Sequence, residues 1–192
     1  LADGVTWSVV RDVRPGDMAA ITAIYAESVV NGRGTFELEA PDETEMTARF
    51  AAVADLGLPR LVAEIDGRVV GYAYAGPFRT RQAYRYMVED SIYVAPVARG
   101  SGVAGALLDA LIRRCEAMGL RQMVAVIGDS DNLASIALHR ARGFSHAGVF
   151  KAAGWKHGDW RDVVFMQRVL SQGGDTPPDA LGLPLIDKKP PA

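Results

Sequence analysis

Residues 92–105 read Ile-Tyr-Val-Ala-Pro-Val-Ala-Arg-Gly-Ser-Gly-Val-Ala-Gly, and this stretch decides the fold. Its first three residues end a strand candidate. Its last six open a helix pattern that continues through Leu107, Leu108, Leu111 and Ile112. Glycines between a strand and a helix let successive backbone N–H groups converge, and the helix dipole adds positive potential at the same point. The turn is therefore suited to a phosphate. It also fits G-x-G-x-x-G, the dinucleotide fingerprint, but the context is wrong for that site. Five residues including Pro96 separate Val94 from Gly100, whereas the fingerprint runs its strand straight into the turn. Some ninety residues precede the motif, and too few follow it to build a second mononucleotide half. No Lys-Ser or Lys-Thr follows the glycines, so a P-loop is excluded. A tight βα turn with no ligand remains the plain alternative.

Outward from the turn, residues 86–94 form the preceding strand and residues 123–127 a compact buried strand after the helix, which Gly119 stops. Upstream, residues 60–65 and 69–75 flank Asp66-Gly67, a hairpin turn whose two positions need positive φ. Before the hairpin, Pro15-Gly16-Asp17 starts a helix with Ile21, Ile24, Tyr25 and Val29 at helical spacing, broken by Asn31-Gly32-Arg33-Gly34. Pro41-Asp42 opens a second helix burying Met46, Phe50 and Val53. Residues 7–10 are the first strand candidate. Residues 132–142 are a helix ended by Gly143, and residues 149–151 and 163–169 are the last strands. The order predicts one α/β or α+β domain around a mixed sheet over residues 1–170. Residues 171–192 contain Gly173-Gly174, Pro177-Pro178, Pro184 and Pro190-Pro191, and are expected to be a loosely docked tail with little packing potential.

Composition narrows the function classes. A chain of 192 residues suits one domain, and 49% hydrophobic residues suffice for a core. A net charge of -2 gives no electrostatic reason to expect nucleic acid or an acidic membrane as partner. Cys115 is the one cysteine, so no intramolecular disulfide and no Cys-rich metal site is expected, in keeping with a reducing, cytoplasmic setting. It lies beside apolar neighbours on the long helix, as a buried thiol. Leu1 to Gly4 lack a basic-then-apolar leader pattern, and no apolar run approaches the ~20 residues that span a bilayer.

Arg99-Gly100-Ser101-Gly102-Val103-Ala104, with Ile92 to Pro96 before it and Asn132, Ala134, Ser135, Ala137 and Arg142-Gly143-Phe144 after it, resembles the acyl-CoA turn and its surroundings in the GNAT acetyltransferase superfamily. Thr35-Phe36-Glu37, Gly71 to Phe78, Val124 to Gly128 and Ala152 to Trp160 are similar to the phosphinothricin and methionine sulfoximine N-acetyltransferases within it. The resemblance covers about residues 7 to 170. It implies a mostly antiparallel twisted sheet flanked by helices, acetyl-CoA as cofactor, a small amino-acid-like amine as substrate and a homodimer.

It also implies roles. Backbone groups of Ile92, Tyr93 and Val94 would pair with the pantetheine arm, a ligand amide acting as an extra strand. Arg99, Gly100, Ser101, Gly102, Val103, Ala104 and Gly105 would hold the pyrophosphate. Asn132 would bond the pantetheine, with Ser135 beside it on the same helix. Glu89 corresponds to the family's proposed general base, and a half-buried carboxylate can have its pKa raised to suit that task. A solvated strand carboxylate, or one paired with Arg79 or Arg81, is the alternative. His139 is the candidate acid, where many relatives place a tyrosine. Arg79 and Arg81, with Thr80 between them, would take the substrate's carboxylate or phosphinate, since guanidinium suits bidentate capture. Asp90 and Ser91 would border the substrate, one facing away from Glu89. Phe36 and Tyr74 would form cavity walls. Tyr93 is open between the site and the core, and Lys156, His157 and Trp160 between the pocket, a dimer interface and a plain hairpin loop.

Two other readings keep the same turn. One changes the acceptor to another amine or a protein N-terminus. The other is a non-catalytic acyl-CoA-binding protein, which the presence of both Glu89 and His139 disfavours.

Overall fold

The computed structural model describes residues 8–185. The hairpin forms as its turn chemistry requires. β2 (Arg60–Ile65) and β3 (Arg68–Pro77) are antiparallel, with Asp66 at φ 49° and Gly67 at φ 74°. β1 (Val9–Asp12) pairs with β2 at the sheet edge. It lies slightly later than the expected 7–10, and Trp7 falls outside the described residues. β4 (Met87–Val94) pairs antiparallel with β3 from Pro77↔Val88 to Gly71↔Val94.

α1 (Met18–Asn31) and α2 (Glu43–Asp55) cover one face of the sheet. Asp42 caps α2 by accepting the Glu45 N–H at 2.8 Å. Beneath them lies an aromatic cluster of Tyr25, Phe50, Tyr72, Tyr74 and Tyr93. α3 (Val103–Ala117) covers the other face. Val103, Leu107, Leu108, Leu111, Ile112 and Cys115 share its buried side, following the helical period. Burying each large aliphatic chain is worth about 1.5–3 kcal/mol, so this helix anchors the main core.

After α3 come β5 (Gln122–Gly128), α4 (Leu133–Arg140), β6 (Ser145–Lys156) and β7 (Asp159–Val169). The described residues form one seven-stranded sheet in the order β1-β2-β3-β4-β5-β7-β6. Only the β4–β5 pair is parallel; the others are antiparallel. The expected mixed sheet is present, with a last hairpin much longer than predicted. β6 shifts register between Phe150 and Gly154 around Ala152 at φ 50°, and that bulge breaks the alternation that would have marked a long strand.

The C-terminal segment departs most from expectation. It is docked through residue 185. Leu183 and Leu185 are buried in the main core, and Arg121 is buried beneath the segment. Among the described residues no helix is long and apolar enough to cross a membrane, and no His, Cys, Asp and Glu cluster could hold a metal.

Candidate active site

The site arises where two strands part. β4 and β5 are paired only over Met87↔Gln122 to Asp90↔Ala125. Beyond Asp90, β4 stays on β3 while β5 stays on β7. Residues 91–94 therefore present backbone groups with no ladder partner on the β5 side. The opening widens into a cavity of about 930 Å³. Ile92, Tyr93 and Val94 line one wall, and residues 125–129 the other.

The glycine turn closes one end. Gly100 sits at φ 79° and Gly102 at φ 87°, where a side chain would strain the backbone. Gly102 is the N-cap of α3 and offers no side chain to cap it. The first N–H groups of a helix have no acceptor within it, so this end needs an external one. Arg99, Gly100, Gly102, Val103, Ala104 and Gly105 all line the cavity. Ser101 does not; its hydroxyl donates to the Ala98 carbonyl at 2.6 Å and braces the turn. Arg99 is tied to Glu27 of α1 at 2.6 Å. Arg142, which site reasoning from sequence missed, lies over Gly105 so closely that a Cβ there would clash with its guanidinium. Arg142 also lines the cavity and pairs with Asp109 at 3.1 Å.

Asn132 and Ser135 line the cavity from α4. Asn132 is the N-cap, accepting the Ser135 N–H at 3.3 Å, while its amide donates to the Gly128 carbonyl at 3.4 Å. Its side chain thus has a structural task as well as a place at the site.

Glu89 and Asp90 part company. Strand alternation puts Glu89, Ser91 and Tyr93 on the α1–α2 face and Asp90 on the α3–α4 face. Glu89 lines the cavity, and its pKa is raised, first by burial and then by the Asp90 charge, with Arg79 opposing. Ser91 lines the cavity too, and so, from the opposite face of the strand, does Asp90. It is buried, and its Oδ2 accepts from His139 Nε2 at 3.0 Å. His139 Nδ1 faces the Ser135 carbonyl at 2.7 Å, which can only accept. A carbonyl facing one nitrogen and a carboxylate facing the other both favour the protonated ring. Burial works to lower its pKa, but the hydrogen bond and charge of Asp90 outweigh it, and the net shift is upward. The remaining Asp90 oxygen, Oδ1, is buried with no hydrogen-bond partner among the described residues.

The expected substrate contacts divide. Phe36 lines the cavity, against Gly154 of β6, where a Cβ would clash with its ring. Tyr74 does not line it; its ring packs on Phe50 and pairs across strands with Ser91. Arg79, Thr80 and Arg81 are exposed on the loop after β3, outside the cavity lining. Arg79 stacks over Phe78 at 4.3 Å and reaches Glu89 only through space. They stand apart because the loop projects from the end of the sheet. Tyr93 directs its ring into the aromatic cluster, edge-on to Tyr25 at 4.9 Å, so its side chain is core and its backbone lines the opening.

The hairpin loop after β6 instead reaches the site. Lys156 is buried and donates to the Thr35 carbonyl at 2.8 Å; His157 approaches the Gly32 carbonyl at 3.3 Å. They hold residues 32–36, the wall that carries Phe36. Tyr25 donates to Glu37 at 2.8 Å, and Arg49 and Tyr25 together hold the Glu37 pKa down against its burial. Of this wall, the sequence resemblance implied Phe36 alone. Trp155 and Trp160 pack edge-to-face at 5.4 Å and are exposed. Cys115 is fully buried, and burial pushes its pKa up to about 12.

A family profile described as "Acetyltransferase (GNAT) family" matches residues 19–144. The chain is 55% identical over 170 residues to the phosphinothricin N-acetyltransferase of Alcaligenes faecalis, covering 88% of this chain and 86% of that protein. It is 41% identical over 169 residues to an L-methionine sulfoximine/L-methionine sulfone acetyltransferase of Pseudomonas paraeruginosa, covering 88% and 98%. The crystal structure of a GNAT superfamily phosphinothricin acetyltransferase from Sinorhizobium meliloti in complex with AcCoA superposes with a TM-score of 0.87 at 51% identity, over 89% of this chain and 92% of that one. A strand pair that opens onto a glycine-rich helix start, and relatives of this identity and coverage, lead to one conclusion: the chain belongs to the GNAT acetyltransferase family.

Proposed function

We propose that the protein transfers the acetyl group of acetyl-CoA to the amine of phosphinothricin, methionine sulfoximine or a closely similar amino-acid analogue, with Glu89 as the general base. One observation carries this reading. A half-buried carboxylate of raised pKa stands at the point where β4 leaves β5, beside unpaired strand backbone and a glycine cradle. The residues fit acetyl-CoA. Gly100 and Gly102 keep the cradle free of side chains at positive φ, and an anion satisfies the α3 N-terminus. Residues 91–94 offer backbone partners to an extended amide-bearing arm.

Acetyl-CoA, when bound, supplies an acyl group activated as a thioester. The chain does the rest. Glu89, kept basic enough by its burial, takes the proton that frees the substrate nitrogen as a nucleophile. His139 is the second proton-bearing group of the cavity; it offsets negative charge developing on the departing sulfur and is the source of its proton. Because both His139 N–H groups are already engaged, that transfer requires loosening the bond to Asp90. Arg79 and Arg81 are within reach of an anionic substrate only if the loop 78–86 folds inward. The exposed Trp155 and Trp160 support a homodimer, which light scattering tests, and the single buried thiol suits a cytoplasmic setting.

The test is release of CoA thiol from acetyl-CoA with and without phosphinothricin and methionine sulfoximine. Amine-dependent release is expected. Binding of acetyl-CoA without release for these or a wider set of amines would overturn the reading in favour of a binding protein.

A further inference from the structure

We infer that the C-terminal segment 173–185 is a strap that positions the exposed loop 78–86, which carries Arg79 and Arg81, and so acts on substrate affinity without touching substrate. The inference rests on the amine-site reading above. The loop leaves β3 at Phe78 and re-enters the sheet at Arg85–Met87. Its neck is closed by the Phe78 N–H donating to the Met87 carbonyl at 3.3 Å. Within it, the Tyr84 N–H donates to the Arg81 carbonyl and the Arg85 N–H to the Gln82 carbonyl, while Phe78 and Tyr84 meet edge-on at 5.7 Å. Those contacts lie within the loop and its neck.

The strap fixes one post of the loop. The Tyr86 hydroxyl donates to the Ala180 carbonyl at 2.9 Å, and the Leu183 N–H donates to the Arg85 carbonyl at 2.8 Å. Gly182, at φ 72°, lies so close that a Cβ would meet Arg85 and Tyr86 atoms at 2.8 Å. The strap is itself clamped by Arg121, whose guanidinium donates to Gly173 O, Thr176 Oγ1, Pro177 O and Asp179 Oδ1 at 3.1–3.3 Å. Arg121 also returns to the same post through its backbone, donating to the Tyr86 carbonyl at 2.9 Å. Three residues after Tyr86 in β4 stands Glu89. The strap therefore braces the root of both the Arg79–Arg81 loop and the Glu89 strand, on the side away from the glycine turn. The family profile ends at residue 144, well before it.

The experiment compares full-length wild type with Gly182→Val, which pushes the strap off Arg85 and Tyr86, and Tyr86→Phe, which removes one hydrogen bond. Truncation after Gln172 exposes the seats of Leu183 and Leu185 and risks folding, so it is not the primary variant. Amine KM, kcat and the acetyl-CoA Kd from equilibrium binding are read for each. Gly182→Val is expected to raise amine KM about tenfold, with Tyr86→Phe in between, because a small displacement of a positioning group is costly. Acetyl-CoA Kd should stay within about twofold, since the cradle lies elsewhere. An unchanged amine KM in Gly182→Val, or an equal loss of amine and acetyl-CoA binding, overturns the inference. Hydrogen exchange of the 78–86 amides needs no substrate and so separates this inference from the amine-site reading. Exchange in Gly182→Val no faster than in wild type overturns the strap, whereas wild type inert toward both amines overturns the amine-site reading alone.

Discussion

Substituting Gly102 by alanine separates the backbone demand of the turn from its ligand demand. Gly102 sits at φ 87° and nothing lies within 4 Å of an added Cβ. The cost to the fold is therefore that of holding an L-residue in the left-handed region, about 1–2 kcal/mol. For a chain of this size that lowers Tm by about 2–8 °C. The open space that receives the methyl is the cavity itself, since Gly102 lines it. A methyl there blocks the close approach an anion needs to the α3 N-terminus. Losing one charge-assisted hydrogen bond, about 1.5–3 kcal/mol, weakens acetyl-CoA binding about 10–100-fold. Gly67→Ala is the matched control. Gly67 has φ 74° and equally open space, but it sits on the β2–β3 turn far from the cavity lining. Both variants should lose similar stability by thermal melting, and only Gly102→Ala should lose affinity by titration calorimetry. Equal acetyl-CoA affinity in the two variants would refute the cradle.

The Asp90–His139 pair makes stability depend on pH. His139 has a raised folded pKa, so its contribution is full below the unfolded value near 6.5 and is lost as pH rises through the folded value. Asp90→Asn is expected to cost about 3 kcal/mol by urea melts at pH 6, with a smaller difference at pH 9; a gap that widens with pH contradicts the pairing. Lys156→Met keeps the buried stem but removes the donor to Thr35, and urea melts should show a loss of about 1.5–3 kcal/mol. Cys115, buried with its pKa pushed up to about 12, should resist a thiol reagent at pH 8 until the protein is unfolded, when one thiol titrates. Rapid labelling of the native protein would show the α3 core to be open.

Local chemistry explains which parts were legible in the sequence. Asp66-Gly67, the Asp42 cap and the Gly100–Gly102 turn declare themselves because the residue type and the backbone need coincide at one place. Strand alternation required one of Glu89, Asp90 and Ser91 to face away, and Asp90 does. Its partner His139 lies 49 residues on, across the fold, and no spacing rule connects them. Arg79 and Arg81 suited an anion by residue type, yet their loop leaves them exposed. Lys156, read as an ambiguous hairpin loop, is the cation that holds the cavity wall at Thr35. The proline-rich composition of the tail concealed Leu183 and Leu185. Their burial depends on a seat formed by the main core, and on Arg121 having turned its guanidinium toward carbonyls more than fifty residues away.

The central claim, that Glu89 at the parting of β4 and β5 is the base for amine acetylation, is tested most directly by amine-dependent CoA release in wild type and Glu89→Gln. With saturating acetyl-CoA, kcat is expected to fall at least about 100-fold in Glu89→Gln, within the range general-base catalysis supplies. Acetyl-CoA Kd should be unchanged. In wild type, kcat/KM should rise with pH through a carboxyl group whose pKa lies above the ordinary 4.5, and Glu89→Gln should lose that limb. Release by Glu89→Gln at the wild-type rate, with the same pH profile, would contradict the claim.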